Sequence, residues 1–206
     1  FTTMRGLVLS SSIFKIFSPT AGNSATLDYK HFWRHSLLTA IASKKINQYL
    51  NFPEEDDIFS AAILHDIGKI ILDQYDHENY AKVLRISPDP VIWTEVIDAE
   101  EKYCEINHQD IGYIVAENWN LPEVLSSVIH YHHEPLQMNE HTRLACIVYV
   151  GNIISHIALD LRKFKIDLFE EDVLNYLGIN ENNLLEINTE LIEELENIKD
   201  LDSFFI

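Results

Sequence analysis

Apolar residues recur along this chain three and four positions apart, the spacing of helices with one buried face. No stretch alternates with the period of two that a half-buried strand requires. Met4, Leu7, Val8, Phe14 and Phe17 set a stripe over residues 3–17, closed by Ser18-Pro19 and the small residues after it. Phe32, Trp33, Leu37, Ile41 and Ile46 set another over 28–50, ended by Asn51-Phe52-Pro53. Pro53 and the carboxylates at 54–57 suit a helix N-terminus, and they open a third helix expected to run unbroken through His65 and Asp66 to Tyr75.

The pattern continues in short pieces. Tyr80, Val83 and Leu84 mark one helix, stopped by Ser87-Pro88-Asp89-Pro90, and Trp93, Val96, Ile97 and Tyr103 mark the next; neither offers obvious chemistry. Asn107 reads as an N-cap that puts His108 in the first turn of a helix through Ile111, Ile114, Val115 and Trp119. After Asn120-Leu121-Pro122, the stripe Val124, Leu125, Val128, Ile129 ends on Tyr131-His132-His133-Glu134-Pro135. A long apolar helix over 144–161 carries Asn152 and His156 one turn apart. A helix over 169–177 is capped by Gly178, and Leu184, Leu191, Leu195 and Ile198 line a closing acidic helix. This helix reads as a solvated face whose leucine spacing also permits a partner helix. The expectation is an all-α bundle, with Trp33, Trp93 and Trp119 in its core.

Composition narrows the function classes. With 206 residues, 47% of them hydrophobic, the chain can bury the core of one domain. A formal charge of −18 opposes nucleic acid and an anionic membrane surface, and no run of about 18 apolar residues stands out as a membrane span. Cys104 and Cys146 sit in apolar helical patterns outside any pairing motif and read as core thiols of a reducing, cytoplasmic compartment.

The polar residues inside the apolar pattern carry the chemistry. His65 and Asp66 lie among Ile58, Phe59, Ala61, Ile63, Ile67, Ile70 and Ile71, where two desolvated ionisable groups cost several kcal/mol unless a charge compensates them. A bound cation meets that requirement. His35, His108, His132 and His133 lie at helix interiors and ends that can converge in a bundle core, where bundles build metal sites. The plainer alternative is that they persist as core hydrogen-bonding groups of a decayed site. His31, His77, His130 and His141 read as structural or exposed.

In order and local context these residues resemble the HD superfamily of metal-dependent phosphohydrolases. The strings Phe32-Trp33-Arg34-His35-Ser36, Leu64-His65-Asp66-Ile67-Gly68-Lys69, Asn107-His108-Gln109-Asp110-Ile111-Gly112 and Tyr131-His132-His133-Glu134-Pro135 are similar to its HDOD branch, from about residue 2 to about 201. The resemblance implies an all-helical HD-type bundle acting as a bacterial signal-transduction output or regulatory domain. Its site would hold one or two divalent ions of iron, manganese, zinc or nickel. It places the first ion on His35, His65 and Asp66 with help from Asn152, and the second on His108, His132 and His133 with Asp66 bridging. Asp66 and Lys69 would be the catalytic pair if the domain is an enzyme. Lys69 then faces a phosphate oxygen, or else simply snorkels beside Asp66. The implied partners are a signalling protein or a small phosphorylated ligand, with neither nucleic acid nor membrane. The resemblance further divides the chain into residues 1–24, the last helix and linker of an N-terminal lobe; 25–162, the HD core; and 163–206, the acidic C-terminal helices.

Two departures bear on activity. The superfamily has an aspartate where this chain has Asn152, which takes a charge from the first ion's ligands; His156, one turn on, would be the substitute, or is a hydrogen-bonded core histidine. Pro135-Leu136-Gln137-Met138-Asn139 lacks the Gly-Tyr-Pro element of the cyclic-di-GMP hydrolases, so that activity is not expected. The alternative to a regulatory domain is an active phosphohydrolase on a nucleotide or other phosphoester.

Overall fold

A computed structural model describes residues 27–52, 57–86, 93–159 and 163–197. The expected helix over 3–17, the Pro53 start, the proline-rich break at 87–90 and the side chains of Leu195 and Ile198 lie outside the described residues. Ten α-helices follow in order: α1 Tyr29–Tyr49, α2 Ile58–Leu64, α3 Ile67–Tyr75, α4 His77–Ile86, α5 Trp93–Cys104, α6 His108–Asn118, α7 Glu123–Tyr131, α8 Thr142–Leu159, α9 Glu171–Leu177 and α10 Glu181–Asn197. Two single 3₁₀ turns, Pro135–Gln137 and Ile166–Leu168, join the later ones. Among the described residues there is no strand, as the helical spacing requires.

The helices form where local chemistry starts and stops them. Asp28 caps α1 by accepting from the His31 amide at 3.0 Å, and Asn107 caps α6 by accepting from the Asp110 amide at 2.9 Å. Gly178 ends α9 in the left-handed region at φ +68. The axis of the bundle is α8 packed along α1. The first half of α8 gives Leu144, Ala145 and Val148 to one apolar core with Trp33, Ile63, Leu64 and Ile129. Its second half gives Ile153, Ile154 and Ile157 to another with Ile46, Val173, Leu184 and Leu191. The acidic helix α10 therefore has its partner within the bundle: Leu184, Ile187 and Leu191 are buried against α1 and α8, and Glu181, Glu186, Glu190 and Glu193 are exposed.

Two expectations change. The helix α8 is, by length and mean hydropathy (1.4 over 18 residues), apolar enough to cross a membrane, but 83% of that window is buried inside the bundle, so its apolarity is that of a core helix. Trp119, expected in the core, is 39% exposed, because it is the C-cap residue of α6 where the chain turns away.

One close approach positions the site. A Cβ on Gly68 of α3 would lie 1.8 Å from the carbonyl oxygen of His108, and one on Gly112 of α6 would lie 3.3 Å from the Gly68 nitrogen. Only the missing side chains let α3 and α6 meet backbone to backbone. The contact brings the first residue of α6, His108, against the start of α3, next to Asp66.

Candidate metal centre

The expected continuous helix through His65 and Asp66 is broken there. α2 ends at Leu64, Asp66 adopts φ −100 and ψ 11, and α3 restarts at Ile67. Carried straight on, the helix could not set Gly68 against the backbone of His108; the break redirects α3 into that contact. It also frees Asp66 from a helix surface and leaves its carboxylate, 1% exposed, at the meeting point of four helix ends and α1.

Each oxygen of Asp66 faces a different pair of imidazoles. Oδ2 lies 3.3 Å from His65 Nε2 and 3.7 Å from His35 Nε2, and Oδ1 lies 3.4 Å from His132 Nε2 and 3.5 Å from His108 Nε2. His133 joins the second set, its Nε2 3.2 Å from that of His108. The ligand atoms of His35, His65 and Asp66 lie within 4.8 Å of one another, and so do those of Asp66, His108, His132 and His133. All these residues are buried. The sequence-predicted set thus converges, with α1 supplying His35, the α2–α3 break His65 and Asp66, the α6 start His108, and the α7 end His132 and His133.

Hydrogen bonds outside the cluster settle which nitrogen points in. The Nδ1–H of His65 donates to the Ala62 carbonyl at 2.7 Å, that of His132 to the Ile129 carbonyl at 2.8 Å, and that of His108 to Glu100 Oε2 at 2.6 Å. His35 Nδ1 is hydrogen-bonded to Ser155 Oγ at 3.0 Å, and that hydroxyl also reaches the Asn152 carbonyl at 2.8 Å. Carbonyls and carboxylates only accept, so the Nε2 atoms of His65, His108 and His132 are left as bare lone pairs facing a carboxylate that is also only an acceptor. His35 Nε2, His65 Nε2 and Asp66 Oδ1 have no hydrogen-bond partner. Buried acceptors pointed at one another, with Lys69 donating to Asp66 Oδ2, suit a cation, and outer partners that fix the tautomer are what metal-binding histidines use. The residues present fit one or two metal ions.

The electrostatics agree. Burial works against ionisation of Asp66, but the Lys69 ammonium, 2.7 Å from Oδ2, leads the groups that outweigh it and hold the carboxyl well below its usual range. Burial pushes His132 down to about 3 against the pull of Asp66. His35 and His133 are also lowered, by burial first and then by neighbouring imidazoles. These groups stay neutral at physiological pH, the form that ligation requires. Lys69 does sit beside Asp66, as the snorkelling alternative has it, and it also lines a cavity that opens on the cluster.

The structure adds what the sequence reading missed. Helix α5, credited with no chemistry, delivers Glu100, which is fully buried and whose Oε2 takes both the backbone N–H of His108 at 2.8 Å and its ring N–H. The signal was a carboxylate inside the stripe Val96, Ala99, Glu100, Cys104, all of them buried. Trp93 is half-buried and lies against the His133 ring, centroids 5.3 Å apart and 11° from parallel. Asn152 is buried, its backbone carbonyl is linked to His35 through Ser155, and its Oδ1 has no hydrogen-bond partner. His31 is exposed, His130 pairs with Asp110 at 3.0 Å, and His77 lies 3.5 Å from Asp73, in keeping with their expected structural or surface roles.

Comparison with known proteins follows the same lines. An uncharacterized protein of Treponema pallidum is 28% identical over 98 residues, which are 47% of this chain and 19% of that protein, so the chain matches about a fifth of that relative's length. Three crystal structures share the fold. An HDOD domain protein of unknown function from Geobacter sulfurreducens has a TM-score of 0.76 at 19% identity, covering 100% of this chain and 72% of the other. A signal transduction protein, provisionally so named, from Marinobacter aquaeolei has a TM-score of 0.75 at 19% identity, covering 99% of this chain and 44% of the other. A protein of Shewanella amazonensis provisionally named a phosphohydrolase has a TM-score of 0.68 at 19% identity, covering 93% and 68%. The family model for the HDOD domain matches residues 1–135, which span every histidine and aspartate of the two clusters, and the chain belongs to the HDOD domain family.

Proposed function

We propose that this chain is a bacterial, cytoplasmic signal-transduction output domain whose core holds one or two divalent transition-metal ions. The observation that carries the reading is Asp66, whose two oxygens each face a separate set of bare imidazole nitrogens. In this reading His35, His65 and Asp66 hold the first ion, with Asn152 Oδ1 as a neutral fourth donor. Asp66, His108, His132 and His133 hold the second. Imidazole and carboxylate donors suit iron, manganese, zinc or nickel. The Marinobacter neighbour's name, a signal transduction protein, supports the regulatory half of the proposal. The domain would act through a signalling partner or a small phosphorylated ligand.

A second reading, hydrolysis of a phosphoester, is favoured by the cavity that opens on Asp66 and Lys69 and by the name of the Shewanella neighbour. Bound divalent ions would supply Lewis-acid stabilisation of charge on a phosphoryl group. Lys69 would orient a phosphoryl oxygen from the side of Asp66, and the buried imidazoles would keep water from the rear. Against it stands Asn152, which leaves Asp66 as the single carboxylate in the two groups.

Elemental analysis of the purified chain, with phosphomonoester, phosphodiester and cyclic-dinucleotide assays in added Mn²⁺ or Fe²⁺, separates the readings. Stoichiometric metal without turnover is expected. Metal-dependent turnover that vanishes in Asp66→Ala would establish the second reading instead. Less than about a tenth of an equivalent of metal would count against both.

A further inference from the structure

The cavity beside the cluster measures about 310 Å³ and reaches His35, Asp66, Lys69 and His156. Phe32, Val83, Leu84 and Val96 form apolar walls, and Asp28 also lines it. His156 is the residue here with no role so far. It comes from α8, is 5% exposed, and lies flat on the His35 ring with centroids 3.8 Å apart and planes 22° from parallel. It belongs to neither group that can hold an ion, and its Nδ1 is buried without a hydrogen-bond partner. Lys69 has capacity to spare as well: an ammonium has three donors, and Asp66 Oδ2 takes one at 2.7 Å.

We propose that this cavity binds a small molecule with one anionic head and an apolar body, the head held between Lys69 and His156. The proposal rests on the reading of the site above in that the head lies beside the ion-holding groups, but the binding residues are this chain's own. The charge of the lining limits the head to one anion. Among the described residues Lys69 is the one ammonium of the lining, with the His31 imidazole beside it, and Asp28 and Asp66 put two carboxylates close by. A polyphosphate would find no second ammonium among the described residues and would also meet the field of a protein of charge −18. The walls select the body, because Phe32, Val83, Leu84 and Val96 offer no hydrogen bonds, and polar groups set against them would be desolvated unpaired. The volume agrees with a small ligand: about 310 Å³ is room for roughly ten waters and lies at the low end of the ~300–1,000 Å³ range of small-molecule sites. His156 then determines specificity. It lines the cavity with a ring held nearly parallel to His35, and a ring N–H there donates to an acceptor on the ligand.

Isothermal titration of the whole chain with phenyl phosphate, benzoate, inorganic phosphate and ATP tests this, with metal content measured on the same samples. Phenyl phosphate or benzoate is expected to bind at least about tenfold more tightly than inorganic phosphate or ATP, and the order of the first two tells whether the head is phosphoryl or carboxylate. His156→Phe keeps a flat ring on His35 and removes both nitrogens; it is expected to weaken that binding about tenfold or more, the usual loss for a hydrogen bond to a charged group, at unchanged metal content. Leu84→Glu, at a wall position that is 37% exposed and so tolerant of a charge, is expected to weaken it similarly. Equal affinity for ATP and phenyl phosphate, unchanged affinity in His156→Phe, or metal-loaded protein that binds none of the probes would each overturn the proposal. A metal-free chain that binds phenyl phosphate through His156 would sink the metal reading and leave this one standing.

Discussion

Gly68→Ala tests the contact on which the cluster depends. An added Cβ would lie 1.8 Å from the His108 carbonyl oxygen, 2.7 Å from its carbon and 3.0 Å from its Cα. These are backbone atoms of the first residue of α6, so no rotamer change can relieve them. Real Cβ contacts essentially never fall under 3.0 Å, so α3 and α6 must separate by at least 3.0 − 1.8 = 1.2 Å. That displacement is a third of the 3.5 Å between His108 Nε2 and Asp66 Oδ1, enough to disturb the seating of His108 in the second group. Overpacking of this kind typically costs about 1–3 kcal/mol. For a chain of this size each kcal/mol is worth ~2–4 °C, so a fall in Tm of ~2–12 °C is expected. The proper control is Gly178→Ala, which also destabilises, since Gly178 has φ +68, but which meets nothing within 4 Å and lies far along the chain in α9's cap. Calorimetry and elemental analysis of both variants make the comparison. Both are expected to lose stability, and Gly68→Ala alone to lose metal. If Gly68→Ala keeps full metal and melts within about 1 °C of the parent, the close approach of α3 and α6 does not position the site.

Three further outcomes follow from the same geometry. Glu100→Gln removes the charge that His108 Nδ1–H meets at 2.6 Å, and metal affinity is expected to fall ~10–100-fold, as for other outer partners of ligating histidines; titration with Mn²⁺ or Zn²⁺ reads it, and an unchanged affinity would mean that Glu100 only anchors α5. Asn152→Asp is expected to raise affinity for the first ion while lowering the stability of the chelated protein by burying a second carboxylate; equal affinity would mean position 152 is not a ligand. With chelator present, the denaturation midpoint is expected to fall between pH 7.5 and 5.5. Folded His35, His132, His133 and His156 stay neutral there, His132 down to about 3, whereas unfolded histidines take up protons below about 6.5. The unfolded state thus binds more protons, so stability drops by up to ~1.4 kcal/mol per pH unit for each. Asp66, lowered when folded, adds a loss of the same sign at more acid pH. A midpoint that holds or rises at pH 5.5 would contradict the burial of these rings as neutral groups.

Sequence alone determined the helical class and the membership of the cluster. Helical spacing is a local property: a stripe such as Val124, Leu125, Val128, Ile129 can be buried only if the segment is a helix, whatever it packs on. The cap at Asn107 and the end of α7 at His132 were legible because caps are chosen by residues next to one another in the chain. The site histidines stood out because ionisable groups in apolar stripes need compensation, and their order along the chain then resembled one family's. Tertiary structure decided the rest. A helix pattern cannot show that the helix breaks at His65-Asp66, just before Gly68 meets the backbone of His108, a contact 40 positions away. Glu100 was hidden for the same reason: on α5 it reads as one acidic residue among several, and only packing against His108 turns it into an outer partner of the cluster. The tautomers of His35, His65, His108 and His132 likewise depend on which oxygen each Nδ1 finds in the folded bundle. Which residues could bind an ion is written in their chemistry, and which of their atoms face one another is settled only by packing.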